Sequence, residues 1–222
     1  MTTGENEHLV GSDFGEISKD LERCIVFHGH LCPGLIYGYL VAEEAIRLLG
    51  LCRSSDEEVV AVPENDSCAV DALQVLLGTS TGKGNLILKN YGKNAFTIIK
   101  RGHGSQDGRA LRFARKTFYR YDGPDTAGYR QLDEKISAGN ATPEETKHHR
   151  LLKCRDLLRK GVAGVFTVAE VPVSEPPYAP LALSLPCARC GEMTMATKLV
   201  DAADGHRYCL PCAENEGIPI LP

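Results

Sequence analysis

Four cysteines near the C-terminus stand as two pairs, Cys187-Ala-Arg-Cys190 and Cys209-Leu-Pro-Cys212, with 18 residues between the pairs. Zinc takes four ligands in a tetrahedron, and thiolates suit it. A two-residue spacer lets one tight turn aim two sulfurs at one ion, and Gly191 follows the first pair where such a turn often needs positive φ. The spacing predicts a structural zinc site on Cys187, Cys190, Cys209 and Cys212. Two disulfides or two separate redox pairs are the alternatives. A segment this short buries little core, so its metal would supply folding energy directly. The module could also dock protein or nucleic acid, but its extra basic groups, Lys198, His206 and Arg207, are too sparse for DNA or RNA.

A second cluster lies at His28-Gly29-His30-Leu31-Cys32-Pro33-Gly34. Three side chains able to bind metal fall within five residues, just before a helix start, and a turn there can bring them to one ion. Cys32 would sit at the helix N-terminus, where the dipole favours its thiolate. Cys68 closes a second polar turn, Glu64-Asn65-Asp66-Ser67-Cys68, also at a helix start. The two turns can face one cleft, with His28, His30, Cys32 and Cys68 as a core metal site. Cys32, Cys68, His30 and Asp66 are the candidate catalytic residues, and Glu64 and Asp66 can support the ligands or shuttle a proton. An alternative is thiol redox chemistry, with Cys32 attacking and Cys68 resolving. Cys24, Cys52 and Cys154 read as small buried apolar residues.

Two further stretches carry weaker signals. Gly78-Thr-Ser-Thr-Gly82-Lys83-Gly84 has one residue too few for a Walker loop and lacks its Ser or Thr, so it reads as a helix-to-strand connection. Arg109, Arg112, Arg115, Lys116 and Arg120 read as a solvated strand face.

The elements that position these groups follow from patterning. Ser18 caps a helix leading into His28. Pro33 starts an apolar helix that Gly50 closes. Val59 to Val62 reads as a buried strand ending at Pro63, followed by a helix through Leu77. Leu86 to Leu88 and Ala95 to Ile99 read as a hairpin turning at Tyr91 to Asn94, with a further strand over Ala110 to Ala114. Residues 122 to 141 look irregular. Thr142-Pro143-Glu144-Glu145 is a capping box whose helix stops at Gly161. Val165 to Val171 reads as a strand, and residues 1 to about 15 as a loose arm or short helix. The order predicts an α+β core with a mixed β-sheet flanked by helices over 1–172, a Pro-rich linker over 173–186 and a four-cysteine zinc module over 187–222.

Composition sets the compartment. Apolar residues make up 43% of 222 residues and the formal net charge is -4. That argues against nucleic-acid binding by bulk charge. No stretch of about 20 apolar residues exists, so no membrane span is expected. The polar, acidic N-terminus does not read as a signal peptide. Nine cysteines without a secretory signal point to the reducing cytoplasm, where thiols bind metal or react.

Taken in order, these pieces resemble the FmdE family, named for the E component of molybdenum or tungsten formylmethanofuran dehydrogenase. The matching stretches are His28 to Gly34, Cys68-Ala-Val-Asp-Ala-Leu-Gln-Val75, Gly82-Lys-Gly-Asn-Leu86, Tyr91-Gly-Lys93 and the paired cysteines. The resemblance implies a somewhat thioredoxin-like core, a treble-clef zinc finger after it, a core site able to hold a second zinc, and a homodimer. It implies an accessory protein of anaerobic one-carbon metabolism related to methanogenesis, with molybdenum or tungsten enzyme subunits as partners. In that enzyme other subunits carry the metal cofactor and the chemistry, and no ferredoxin-type cysteine run is present here. Family sequences commonly carry Cys where this chain has Thr79, a far poorer zinc ligand.

Overall fold

The computed structural model describes residues 17–103 and 107–219. The arm expected over residues 1 to about 15 lies outside them. The chain divides into two compact units, Met1–Pro176 and Pro177–Pro222.

In the first unit, helix α1 (Lys19–His28) starts where the Ser18 side chain accepts the Leu21 N–H at 3.1 Å and ends at Gly29. Helix α2 (Pro33–Leu49) starts at Cys32, whose Sγ accepts the Leu35 N–H, and ends at Gly50. Nine of its 17 residues are buried, including Leu35, Ile36, Tyr39 and Val41, which makes it the central helix. Strand β1 (Val59–Pro63), helix α3 (Ala69–Leu77), strands β2 (Ala95–Lys100) and β3 (Arg109–Arg115), and helix α4 (Thr126–Ser137) follow. Helix α5 (Pro143–Val165) and strand β4 (Phe166–Val171) complete the unit. Within α5, Gly161 interrupts the helix at φ 59° and ψ -173°, where the sequence predicts the stop, and a further turn follows it.

The four strands pair antiparallel in the order β1-β2-β3-β4. Alternation splits the faces. Val59, Ala61, Phe96, Ile98, Leu111 and Phe113 join the main core with α2, whereas Val60, Ile99 and Ala110 form a small cluster on the other side.

Leu86 to Leu88 does not form the expected hairpin with β2. Both edges of β2 are already paired, with β1 and β3. The segment runs instead along the free edge of β1, in a parallel bridge between Leu86 and Ala61. The Ile87 N–H donates to the Ala61 carbonyl and the Lys89 N–H to that of Pro63, each at 2.9 Å. This pairing is what makes the sheet mixed. Residues 126–137 are helical rather than irregular. Asp125 caps them by accepting the Gly128 N–H at 2.8 Å, and only Tyr129 is buried, so the apolar signal is faint.

The capping box forms as read: the Thr142 side chain accepts the Glu145 N–H and the Glu145 carboxylate accepts the Thr142 N–H. Thr142→Ala should cost about 1 kcal/mol, measurable by urea denaturation.

The contact of α2 with α3 decides the site. A Cβ built on Gly38 would lie 2.0 Å from the backbone oxygen of Ala69, so only glycine allows this approach. Gly38→Ala must push the helices apart, at a cost of about 1–3 kcal/mol from overpacking. An unchanged denaturation midpoint would show that the two helices do not pack this closely.

In the second unit, strands β5 (Ser184–Pro186) and β6 (Met193–Met195) form one hairpin, and β7 (Leu199–Asp201) and β8 (Arg207–Cys209) another. Helix α6 (Leu210–Asn215) follows. Two hairpins and a helix give the arrangement of a treble clef. The buried cluster is small: Cys187, Leu199, Ala202, Tyr208, Cys209 and Ala213.

Candidate metal centre

At the start of α2, the side chains of His28, His30 and Cys32 converge, with one donor atom from each lying within 4.8 Å of the others. The arrangement follows from local structure. Helix α1 delivers His28 on its last turn, the chain turns through Gly29, and Cys32 is the N-cap of α2. The rings of His28 and His30 lie 4.6 Å apart. His28 Nε2 sits 3.6 Å from Cys32 Sγ.

Helix α3 adds the fourth group. Gly34 lies one turn before Gly38 on the face of α2 that meets α3. A Cβ at residue 34 would be 3.0 Å from Cys68 Cβ, 3.5 Å from Cys68 Sγ and 3.8 Å from Cys32 Sγ. Both sulfurs therefore border the space a side chain would fill. Cys68 precedes α3 without using its thiol as a cap.

The carboxylate that meets this cluster is Asp71. Its Oδ2 lies 2.7 Å from His28 Nδ1. A carboxylate only accepts here, so Nδ1 carries the proton and the Nε2 lone pair faces Cys32. The pairing of carboxylate, histidine and an open ring nitrogen is the usual support for a metal-ligating imidazole. Cys68 and Asp71 are three apart, so the first turn of α3 places both beside the ligands. That C-x-x-D spacing was the available signal, but nothing in the sequence pairs it with a histidine 43 positions earlier.

The acids of the preceding turn point elsewhere. Asp66 accepts a hydrogen bond from Asn90 at 2.9 Å, and Glu64 accepts two from Arg112 at 3.0 and 2.8 Å. Thr79 is buried and donates its hydroxyl to the Leu73 carbonyl. Lys83 donates to the Ser54 carbonyl at 3.0 Å, which ties the glycine loop down as a connection. The basic run is largely committed: Arg109 pairs with Glu170, Arg112 with Glu64, and Arg115 lies over the Tyr37 ring. Cys24 and Cys154 are buried as expected, but Cys52 is exposed.

Burial dominates the electrostatics. It pushes the Cys32 thiol up to about 11, against the lowering effect of the Leu35 N–H. The helix terminus therefore does not make Cys32 a thiolate by itself, because a buried anion loses more hydration than one N–H restores. Partial burial lowers His30, with His28 and Arg150 adding to the effect. That favours the neutral imidazole a metal requires.

In the second unit the four thiols of Cys187, Cys190, Cys209 and Cys212 also converge within 4.8 Å. Cys190 Sγ and Cys209 Sγ are 3.9 Å apart. Backbone N–H groups, those of Cys190 and Cys209 foremost, hold the Cys187 thiol down to about 6. Sharing with Cys209 first, then burial, pushes Cys212 up to about 12. Four sulfurs this close cannot all ionise without a cation among them. The first pair sits in the β5–β6 turn and the second at the start of α6, so both pairs are placed by tight local structure.

The deeper surface cleft is elsewhere, lined by Tyr37, Arg115, Tyr119, Leu157 and Lys160 among others. Its polar groups are already matched: Tyr119 donates to Asp156 at 2.6 Å, and Lys160 pairs with Asp156 at 2.8 Å.

Comparisons with known proteins bear on this architecture. A solved structure from Syntrophus aciditrophicus, described as an FmdE-like protein of tungsten formylmethanofuran dehydrogenase, superposes with a TM-score of 0.51 at 21% identity. The match covers 88% of this chain and 90% of that one, and shows a shared fold. A curated relative from Archaeoglobus fulgidus, described as a probable S-adenosyl-L-methionine-binding protein, is 28% identical over 212 residues. The match covers 89% of this chain and 53% of the relative, so the chain spans about half that protein's length. The family model described as "FmdE, Molybdenum formylmethanofuran dehydrogenase operon" matches residues 27–170, from the His/Cys turn to the last core strand. The chain belongs to the FmdE family.

Proposed function

We propose that this is an accessory metal-binding protein with two zinc sites of different purpose. The core site would be held by His28, His30, Cys32 and Cys68, and the C-terminal site by the four paired cysteines. The observation that carries the reading is the convergence of His28, His30 and Cys32 donor atoms within 4.8 Å, with Asp71 on the far nitrogen of His28. Mixed imidazole and thiolate donors suit zinc better than magnesium or calcium, which take oxygen. An all-thiolate set suits a structural zinc.

In the core, zinc would supply Lewis acidity toward a bound oxygen. The chain's own residues do the rest. Asp71 fixes the His28 tautomer, Cys32 and Cys68 supply negative charge, and His30, the exposed member, opens the site to solvent. We place the protein in the cytoplasm, as a homodimer serving molybdenum or tungsten enzyme subunits of anaerobic one-carbon metabolism. Family membership supports that setting. No helix among the described residues is long and apolar enough to cross a membrane.

A thiol redox role for Cys32 and Cys68 is the second reading. It is favoured by the shared space at Gly34 and by both thiols being free.

Zinc-edge X-ray absorption separates these readings. Two filled sites give an average of about three sulfurs and one nitrogen per zinc. A purely sulfur shell would remove the core site from the account. The pH dependence is also set. Below the Cys32 pKa of about 11, binding must displace that thiol's proton. Core zinc affinity should therefore rise about tenfold per pH unit for each thiol proton released, and fall by the same factor on acidification. A pH-independent affinity measured by competition with a chelator would contradict thiolate ligation.

A further inference from the structure

One cation borders the core site with no assigned role. Arg150 lies on α5, one turn before Cys154 and two before Leu157, both fully buried. These positions share one face, so Arg150 is on the side of α5 turned into the core. It is only half-buried as a residue, yet its Nε is shut off from solvent and has no hydrogen-bond partner. No carboxylate pairs with it among the described residues. Its charge bears on His30 and on Cys154, which puts it beside the metal donors.

A buried guanidinium nitrogen left without an acceptor is costly, and such a group commonly awaits a ligand. The charge balance of the site indicates which kind. Two thiolates would neutralise a divalent ion, and Asp71 adds a negative charge beside His28. An anion entering that site needs another cation, and Arg150 is placed to supply it. A single guanidinium fork matches one carboxylate with two parallel hydrogen bonds. A phosphate dianion would bring more negative charge than Arg150 offsets.

We propose that Arg150 is the anion-recognition residue of the core site, and that the site takes a small ligand carrying a carboxylate. This rests on the core metal reading above. Entry would be past His30, the exposed ligand, which leaves one carboxylate face for the metal side and the other for Arg150.

The test uses the full-length protein loaded with cobalt(II). The absorption of the core ion is isolated by subtracting the spectrum of Cys32→Ser, which retains cobalt only at the C-terminal site. Acetate and inorganic phosphate are titrated separately. The expected result is a saturable change in the core cobalt bands with acetate, weakened roughly tenfold or more in Arg150→Met and partly restored in Arg150→Lys. Acetate binding that is equal in wild type and Arg150→Met overturns the assignment. A stronger response to phosphate than to acetate overturns the carboxylate class. If wild type shows no core cobalt bands at all, the metal reading itself has failed. Core bands that persist without any anion response refute only the role of Arg150.

Discussion

Cys209→Ser should strip the C-terminal unit of its ion and of its fold together. The reason is the size of the cluster that remains: six buried residues, two of them the ligands Cys187 and Cys209 themselves. Such a segment cannot offset its own chain entropy by apolar burial. Its backbone is organised around the sulfurs, since Cys187 Sγ accepts the N–H groups of Arg189 and Cys209 at 3.4 and 3.3 Å. With one sulfur gone, the remaining three hold zinc far more weakly, by more than the roughly 10–100-fold that loss of an outer partner costs. Amide exchange should then become fast across residues 184–215 while α2 and the sheet keep their protection. Slow exchange in the two hairpins of Cys209→Ser, or of wild type held in excess chelator, would mean the unit folds without metal.

The second large effect is expected at His28 and its carboxylate. Cys32→Ser should abolish core metal binding outright, because it removes a sulfur at the centre of the cluster. Asp71→Asn is more informative. It keeps the size of the side chain but removes the charged acceptor 2.7 Å from His28 Nδ1, and should weaken core zinc affinity roughly 10–100-fold. Asp66→Asn is the control, since Asp66 bonds only the exposed Asn90 side chain. Competition with a chromophoric chelator measures all three. Equal affinities for Asp71→Asn and wild type would mean that the Asp71–His28 pair is merely structural.

Much of this architecture was readable because local rules act over a few residues. Ser18, Pro33, Gly50 and the Thr142 capping box mark helix ends by their own hydrogen-bonding or backbone needs, and the structure has ends there. The Cys-x-x-Cys pairs are equally local. The misreadings are of groups whose partners are set by the fold. Leu86 to Leu88 has a strand's composition, but nothing in it says which edge of β1 is free. Helix 126–137 buries one side chain, so its periodicity is nearly silent. Asp71 and Arg150 sit in helices as ordinary polar residues, and they acquire meaning only where α3 and α5 carry them to the His/Cys turn. The thiolate expected at Cys32 failed for the same reason: burial, a property of the assembled core, outweighs the helix start.

The central claim is that imidazole and thiol groups from two separated turns grip an ion distinct from the one held by the paired cysteines. Elemental analysis of purified wild type and Cys32→Ser tests it most directly. The account predicts about two zinc equivalents per chain in the first and about one in the second, with the melting of the C-terminal unit unaltered. Equal zinc content in the two proteins would contradict it.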